Sequence, residues 1–126
     1  MTKVLVIDDD ATVRAGIRRV LENAGCDVIE AETGEAGLDS FRNDRVDVTI
    51  VDIVLPGADG VETIAAMRWH EPDAKIIAIS GFIDGDVEAL AEAKRQKANV
   101  ALVKPFTGKV LVDAVRRCLR ATITTA

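Results

Sequence analysis

The fold of this chain is decided by the stretch from Asp47 to Gly60, which reads DVTIVDIVLPGADG. Its first half, Val48 to Val51, is an apolar run interrupted only by Thr49, and this is the pattern of a strand buried on both faces of a parallel sheet. Asp52 ends the run, and a loop rich in Pro and Gly follows. Because ligands bind outside the carboxyl ends of the strands in open α/β sheets, the stretch predicts that Asp52 lies in a binding crevice.

Three further apolar runs also end in polar side chains. The runs and the residues that follow them are Val4–Ile7 with Asp8, Asp9 and Asp10, Ile76–Ile79 with Ser80, and Val100–Val103 with Lys104. If the strands are parallel and adjacent, these side chains meet at one edge of the sheet. Clustered carboxylates bind a divalent cation such as Mg²⁺, while a hydroxyl and an ammonium bind phosphate oxygens. The strand ends therefore predict phosphoryl chemistry on a carboxylate nucleophile.

Helical patterns lie between the predicted strands, and the alternation gives the fold class. After Asp10, apolar residues recur at helical spacing from Val13 to Leu21, which is the buried face of a helix. Further helices are predicted from Thr33, Val61, Asp84 and Thr107. Strands that alternate with helices predict an α/β protein, a (βα)5 doubly wound fold with a parallel five-stranded sheet.

Composition limits the possible functions. A length of 126 residues fits one domain, expected over 1–121 with 122–126 as a C-terminal tail. The net charge of -5 and an aromatic content of 3% argue against nucleic-acid binding through this domain. No apolar segment approaches the roughly 20 residues of a membrane span. Cys26 and Cys118 form no CxxC motif, so we expect reduced thiols in the cytoplasm.

Some polar residues are expected to have purely structural roles. Asp10 can cap the first helix, because its carboxylate can accept hydrogen bonds from the free N–H groups at the helix start. Arg14, Arg18 and Arg19 are expected to form a solvated helix face. His70 has no second His or Cys near it in sequence, and we expect it at the surface rather than in a metal site.

The pattern as a whole resembles the receiver domain of two-component response regulators, of the CheY type, over roughly Lys3 to Leu119. The residues that carry the resemblance are Asp8, Asp9, Asp52, Pro56, Asp59, Gly60, Ser80, Lys104, Pro105 and Phe106. The resemblance implies a flavodoxin-like sheet with strand order 2-1-3-4-5. It also implies a phosphoacceptor signalling domain, which catalyses only its own phosphotransfer and dephosphorylation and is not a metabolic enzyme.

The resemblance implies a role for each residue of the site. Asp52 would accept a phosphoryl group from a histidine kinase or phosphotransfer protein, and Ser80 and Lys104 would contact the phosphoryl oxygens. The implied Mg²⁺ ligands are Asp9 as the main carboxylate, Asp8 partly through water, Asp52, and the carbonyl oxygen of Val54.

The resemblance also implies structural and switching features. Pro56, Gly60 and Pro105 would be structural residues, and we expect a cis peptide bond between Lys104 and Pro105, since X–Pro bonds are where cis is readily accommodated. Phosphorylation would switch the surface formed by the fourth helix, the fifth strand and the last helix, the α4–β5–α5 surface, toward an unknown downstream protein. A monomer and a weak homodimer both remain open.

The sequence departs from the family at Ala101, three residues before Lys104, where many receivers carry Tyr or Phe. That aromatic ring turns inward when the hydroxyl moves toward the phosphoryl group, and an alanine has no rotamer to switch. We therefore expect the signal to run through Ser80 and the loop from Gly81 to Asp86, or through another side chain such as Phe82. Ala101 would leave a shallow recess on the α4–β5–α5 surface that a partner or Phe82 fills.

Two alternative functions remain open from the sequence. Asp8, Asp10 and Thr12 fit the DxDxT motif of haloacid-dehalogenase-type phosphohydrolases, in which Asp8 would be the nucleophile and Asp10 the general acid/base. A receiver-like module that binds partners without phosphorylation is the other alternative, and Ala101 is its only support.

Overall fold

The computed structural model of the chain describes residues 1–55, 60–81, 91 and 98–124, with side chains as far as residue 120. The strands are Lys3–Ile7 (β1), Asp27–Ala31 (β2), Val48–Asp52 (β3), Ile76–Ser80 (β4) and Val100–Val103 (β5). The helices are Ala11–Asn23 (α1), Gly34–Asn43 (α2), Gly60–His70 (α3) and Gly108–Thr124, called the C-terminal helix. Pro56, Asp59, Phe82 and, apart from Ala91, the predicted helix over 84–96 lie outside the described residues.

The five strands form one parallel sheet in the order β2-β1-β3-β4-β5, which confirms the predicted fold class and strand order. In its register, Ile7 stands opposite Val51, and Ser80 stands opposite Val103. The strands therefore end almost level with one another, and the residues that follow them emerge along one edge of the sheet.

Helices cover both faces of the sheet, because the central strands are apolar on both. On β1, Val4 and Val6 join a core cluster with α1 and the C-terminal helix, through residues such as Leu21 and Leu111. Leu5 and Ile7 face the opposite way and join a cluster that contains Ile64 and Met67 of α3 and is flanked by Leu38 and Phe41 of α2. These two cores hold the strand ends rigidly in place.

The helix starts follow the predicted capping. Asp10 Oδ1 accepts hydrogen bonds from the amides of Thr12 and Val13 at 2.9 and 3.3 Å. Thr107 Oγ1 accepts from the Val110 amide at 3.1 Å, at the start of the C-terminal helix. That helix runs to Thr124, so it extends into the segment that the sequence assigned to the tail.

The expectation of a solvated arginine face on α1 is wrong for two of its three residues. Arg14 and Arg18 both pair with Glu30 of β2, at 3.0 and 2.6 Å, and only 14% of the Arg14 side chain is exposed. The reason is tertiary: α1 packs over the edge strand, and both arginines reach a carboxylate there. Arg19, one residue further along the helix, is exposed as expected.

His70 is exposed, as predicted for a surface residue. Its ring meets Phe41 edge-on, with ring centroids 6.1 Å apart, so it packs against α2. Among the described helices, none combines the length and apolar character that a bilayer crossing requires.

Candidate functional site

Three strands bring two carboxylates and one ammonium together at the carboxyl edge of the sheet. Asp8 follows β1, Asp52 is the last residue of β3, and Lys104 follows β5. Lys104 Nζ lies 3.0 Å from Asp8 Oδ2 and 3.0 Å from Asp52 Oδ2. The Lys104 amide donates to the Ser80 carbonyl at 2.7 Å, which fixes the start of this side chain against β4.

Each of the two carboxylates is also oriented by a backbone amide. Asp8 Oδ1 accepts from the Asp10 amide at 2.9 Å, and Asp52 Oδ1 accepts from the Val54 amide at 2.9 Å. Asp8 is fully buried and Asp52 is 5% exposed. Buried carboxylates are costly unless hydrogen bonds and an opposite charge compensate them, and both kinds of partner are present here.

Asp9 completes the acidic cluster from the solvent side. It is exposed, and one carboxylate oxygen from each of Asp8, Asp9 and Asp52 lies within 4.8 Å of the others. Hard oxygen donors in such a group are the ligands that Mg²⁺ takes in proteins, usually with several waters retained. The donor set therefore fits a divalent cation at the open side of the site.

The electrostatics of the pair Asp52 and Lys104 reflect burial. Burial raises the pKa of the Asp52 carboxyl, and the hydrogen bonds from Val54 and Lys104 offset this only in part. Burial alone would lower the pKa of Lys104, but its bonds to Asp8 and Asp52 outweigh burial and raise that pKa. Lys104 therefore stays an ammonium, while an ionised Asp52 is a destabilised group that gains from added positive charge.

The close approach of α3 to the end of β3 explains why α3 begins with a glycine, Gly60. A Cβ at this position would overlap the carbonyl oxygen of Asp52 and the Cα of Ile53. The Gly60 amide donates to the Ile53 carbonyl at 3.2 Å. The first turn of α3 thus lies directly against the end of β3, which supports the structural role predicted for Gly60.

Ser80 lies at the end of β4 and is 1% exposed. Its hydroxyl donates to the Gly81 carbonyl at 3.0 Å and not to Asp52, so a role on the phosphoryl group would require the side chain to turn. The Lys104–Pro105 peptide bond is cis, as predicted.

Val54 and Ala101 are two further positions of the predicted site. Val54 is 51% exposed beside the acidic cluster, and the metal-ligand role of its carbonyl stays a prediction. Ala101 is half-buried and stands opposite Ala78. Val100 and Leu102 pack against the core cluster under the C-terminal helix, so strand alternation puts Ala101 on the other face of the sheet.

Sequence reasoning missed Arg14 as a residue of this site. Its Nη1 donates to the carbonyl oxygen of Asp8 at 2.6 Å, while its Nε bonds Glu30 at 3.0 Å. The one available signal was Glu30 itself, an acidic residue on an edge strand beside the arginines of α1.

Most of the chain matches the model of a known protein family. Residues 4–116 match the family model described as the response regulator receiver domain. The chain belongs to this family. As a receiver domain, it is a phosphoacceptor module of two-component signalling.

Relatives and solved structures agree with this assignment. The receiver is 38% identical over 120 residues to the transcriptional regulatory protein CseB of Streptomyces coelicolor, covering 94% of this chain and 50% of CseB. It is 27% identical to sporulation initiation phosphotransferase F of Bacillus subtilis, covering 93% of both. A receiver domain structure from Clostridium thermocellum superposes with a TM-score of 0.92 at 28% identity, covering 100% of both chains. The chain thus spans about half the length of CseB and nearly all of the phosphotransferase.

The geometry also argues against the phosphohydrolase alternative. Asp10 caps α1 through its carboxylate, and the proposed general acid/base is therefore engaged by backbone amides. Asp8, the alternative nucleophile, is fully buried and has one oxygen bonded to Lys104 and the other to the Asp10 amide. The helix-capping role of Asp10 is therefore the observation that argues against the general acid/base of the DxDxT motif, since Asp8 and Asp52 are bonded alike.

Proposed function

We propose that Asp52 accepts a phosphoryl group from the phosphohistidine of a histidine kinase or a phosphotransfer protein. The observation that carries this proposal is Lys104 Nζ at 3.0 Å from both Asp52 and Asp8. An ammonium in this position compensates charge on Asp52 and on a phosphoryl group attached to it. Lys104 follows β5 and Asp52 ends β3, so this contact depends on the assembled sheet.

The transfer is a displacement at phosphorus. A carboxylate oxygen of Asp52 attacks in line, the P–O bond forms, and the P–N bond to the imidazole of the donor breaks with its electron pair going to nitrogen. Lys104 holds one phosphoryl oxygen, and the Ser80 hydroxyl turns from the Gly81 carbonyl to donate to another. The product is a mixed anhydride, which water hydrolyses, so the mark is temporary.

Asp8, Asp9, Asp52 and the Val54 carbonyl are the proposed ligands of Mg²⁺. The cluster of three carboxylates within 4.8 Å supports this set, with exposed Asp9 as the main ligand and buried Asp8 acting partly through water. Bound Mg²⁺ would neutralise charge on the phosphoryl oxygens and align the donor.

Phosphorylation then shifts an equilibrium between inactive and active conformations. The hydroxyl of Ser80 is the proposed moving part, since in this conformation it bonds Gly81 rather than the acidic cluster. The output surface comprises β5, the C-terminal helix and the predicted helix over 84–96. Because Ala101 has no rotamer to switch, the loop after Ser80 carries the change.

The same proposal includes a cellular location and partner proteins for the domain. The free thiols of Cys26 and Cys118 support a cytoplasmic location. The partners are a histidine kinase or phosphotransfer protein upstream and an unknown protein downstream.

The test is the intact mass of the protein after incubation with Mg²⁺ and acetyl phosphate. We expect the wild type to gain one phosphoryl group, and Asp52→Asn to gain none. A label that survives Asp52→Asn but needs Asp8 would instead indicate the phosphohydrolase. No label and no Mg²⁺ binding would favour a module that binds partners without phosphorylation.

A further inference from the structure

We infer that Arg14 is a positioning residue for the metal site, which it shapes by holding the peptide bond between Asp8 and Asp9. The inference rests on the metal site proposed above. It goes beyond that site because Arg14 lies on α1 and contributes no ligand atom.

The contacts of Arg14 join the acidic cluster to the edge strand. Its Nη1 donates to the Asp8 carbonyl at 2.6 Å, a short, charge-assisted bond to a backbone oxygen. Its Nε donates to Glu30 Oε1 at 3.0 Å. The guanidinium is planar and rigid, so one side chain fixes the Asp8 carbonyl relative to β2.

Glu30 is itself held in place by a second arginine. Arg18 Nε donates to Glu30 Oε2 at 2.6 Å, and Arg18 Nη2 donates to the Val28 carbonyl at 3.1 Å. The two arginines of α1 thus bind both oxygens of one carboxylate. Arg14 consequently has a defined direction, which a solvated arginine would lack.

The Asp8 carbonyl matters because it belongs to the same peptide unit as the Asp9 amide. Peptide planarity means that fixing this oxygen fixes the plane from which the Asp9 side chain leaves the backbone. The Asp8 carboxylate is already held by Lys104 and the Asp10 amide. Asp9 is exposed, and of its two flanking peptide units Arg14 holds the preceding one and the Asp8 carboxylate holds the following one.

A positioning role and a purely electrostatic role for Arg14 predict opposite changes in Mg²⁺ affinity when Arg14 is removed. Removing a positive charge near three carboxylates should tighten Mg²⁺ binding if only electrostatics acted. Loosening the peptide unit that carries Asp9 should weaken it, and partners that orient metal ligands are typically worth about tenfold or more in metal affinity. The sign of the change therefore separates the two roles.

The experiment is a Mg²⁺ titration of the unphosphorylated protein, followed by the backbone NMR signals of Asp10 and Val54. These amides bond the Asp8 and Asp52 carboxylates directly. We expect Arg14→Met to weaken Mg²⁺ binding about tenfold, and Arg14→Lys to weaken it less. The matched control is Arg19→Met, which removes the same charge from an exposed position of the same helix, and it should leave the affinity unchanged or slightly tighter.

Phosphorylation by acetyl phosphate gives a second readout. Because a positioning residue does not touch the phosphoryl group, the rate of Arg14→Met should return to the wild-type rate at saturating Mg²⁺. If Arg14→Met fails to fold, Arg14→Lys carries the same test. Unchanged or tighter Mg²⁺ binding in the folded Arg14 variants would overturn the inference alone, whereas absence of Mg²⁺ binding by the wild type would overturn the proposed metal site as well.

Discussion

Lys104 and Asp52 lie 52 positions apart in the sequence, and their side chains meet at 3.0 Å between Nζ and Oδ2. The same ammonium lies 3.0 Å from Asp8, so one cation serves two buried carboxylates. The contact depends on β1, β3 and β5 ending at one edge of the sheet. Its consequences for stability and for chemistry can be measured separately.

Replacing Lys104 with Met should destabilise the protein at neutral pH. Asp8 is fully buried, and losing its cation leaves an uncompensated buried charge, at a cost of about 3–5 kcal/mol. Urea unfolding in the absence of Mg²⁺ measures the loss, and added Mg²⁺ should restore part of it. Lys109→Met, an exposed change on the C-terminal helix, is the control, and an equal loss there would contradict the expected role of Lys104.

Replacing Asp52 with Asn should stabilise the metal-free protein at neutral pH. Because burial raises the pKa of Asp52 above its ordinary 3.8, the folded state binds the proton more tightly than the unfolded state. Stability from this group is therefore present below the ordinary pKa and is lost as the pH rises through the raised value.

Thermal or urea unfolding of wild type and Asp52→Asn, from below the ordinary pKa of Asp52 to above its raised pKa, measures this change in stability. The advantage of the variant should be largest above the raised pKa and should vanish toward lower pH. Asp39→Asn, an exposed carboxylate change on α2, should give no comparable pH dependence. A constant difference between wild type and Asp52→Asn at every pH would contradict the burial argument.

Substituting Gly60 with Ala should destabilise the protein by about 3 kcal/mol, at the upper end of typical overpacking costs. The new Cβ would overlap the carbonyl oxygen of Asp52 and the Cα of Ile53, and backbone atoms at the end of a central strand cannot move aside cheaply. We also expect a lower rate of phosphorylation, because the shift would displace Asp52.

Gly16→Ala is the matched control, since a Cβ there meets nothing within 4 Å. It replaces a glycine inside α1 and should stabilise by about 0.5–1 kcal/mol. Denaturant unfolding of both variants checks the contrast. Similar stability for the two would show that the contact of α3 with β3 yields more easily than the backbone positions indicate.

Removing the hydroxyl of Ser80 should slow phosphoryl transfer with a smaller effect on folding. A hydrogen bond to a charged group contributes about 1.5–3 kcal/mol, so Ser80→Ala should lower the rate about tenfold or more. In the resting conformation the hydroxyl bonds only the neighbouring Gly81 carbonyl among the described groups. Ser80→Thr, which keeps a hydroxyl, should retain most of the rate.

The measurement is the time course of mass gain with acetyl phosphate and Mg²⁺. Ser40→Ala, on α2 away from the strand ends, controls for loss of a serine as such. A wild-type rate in Ser80→Ala would remove Ser80 from the proposed chemistry and leave Lys104 as the phosphoryl contact.

Residues whose role depends on local chemistry could be predicted from the sequence. Asp10 precedes a helical pattern, and an acidic residue there caps the helix whatever the rest of the fold does. Arg14 could not be assigned in the same way, because its partners are a carboxylate on β2 and the Asp8 carbonyl. A long flexible side chain on a helix surface is read as solvated unless the neighbouring element is known.

The sequence by itself determined the strands, the fold class and the residues that end each strand. Apolar runs of strand length alternate with helical patterns, and the shortness and Val/Ile content of these runs favour buried strands of a parallel sheet over helix segments. Only the tertiary structure decided that Lys104 bridges Asp8 and Asp52, that the Ser80 hydroxyl bonds Gly81, and that Arg14 holds the Asp8 carbonyl. These contacts depend on side-chain rotamers and on how distant segments pack, and the order of residues along the chain specifies neither directly.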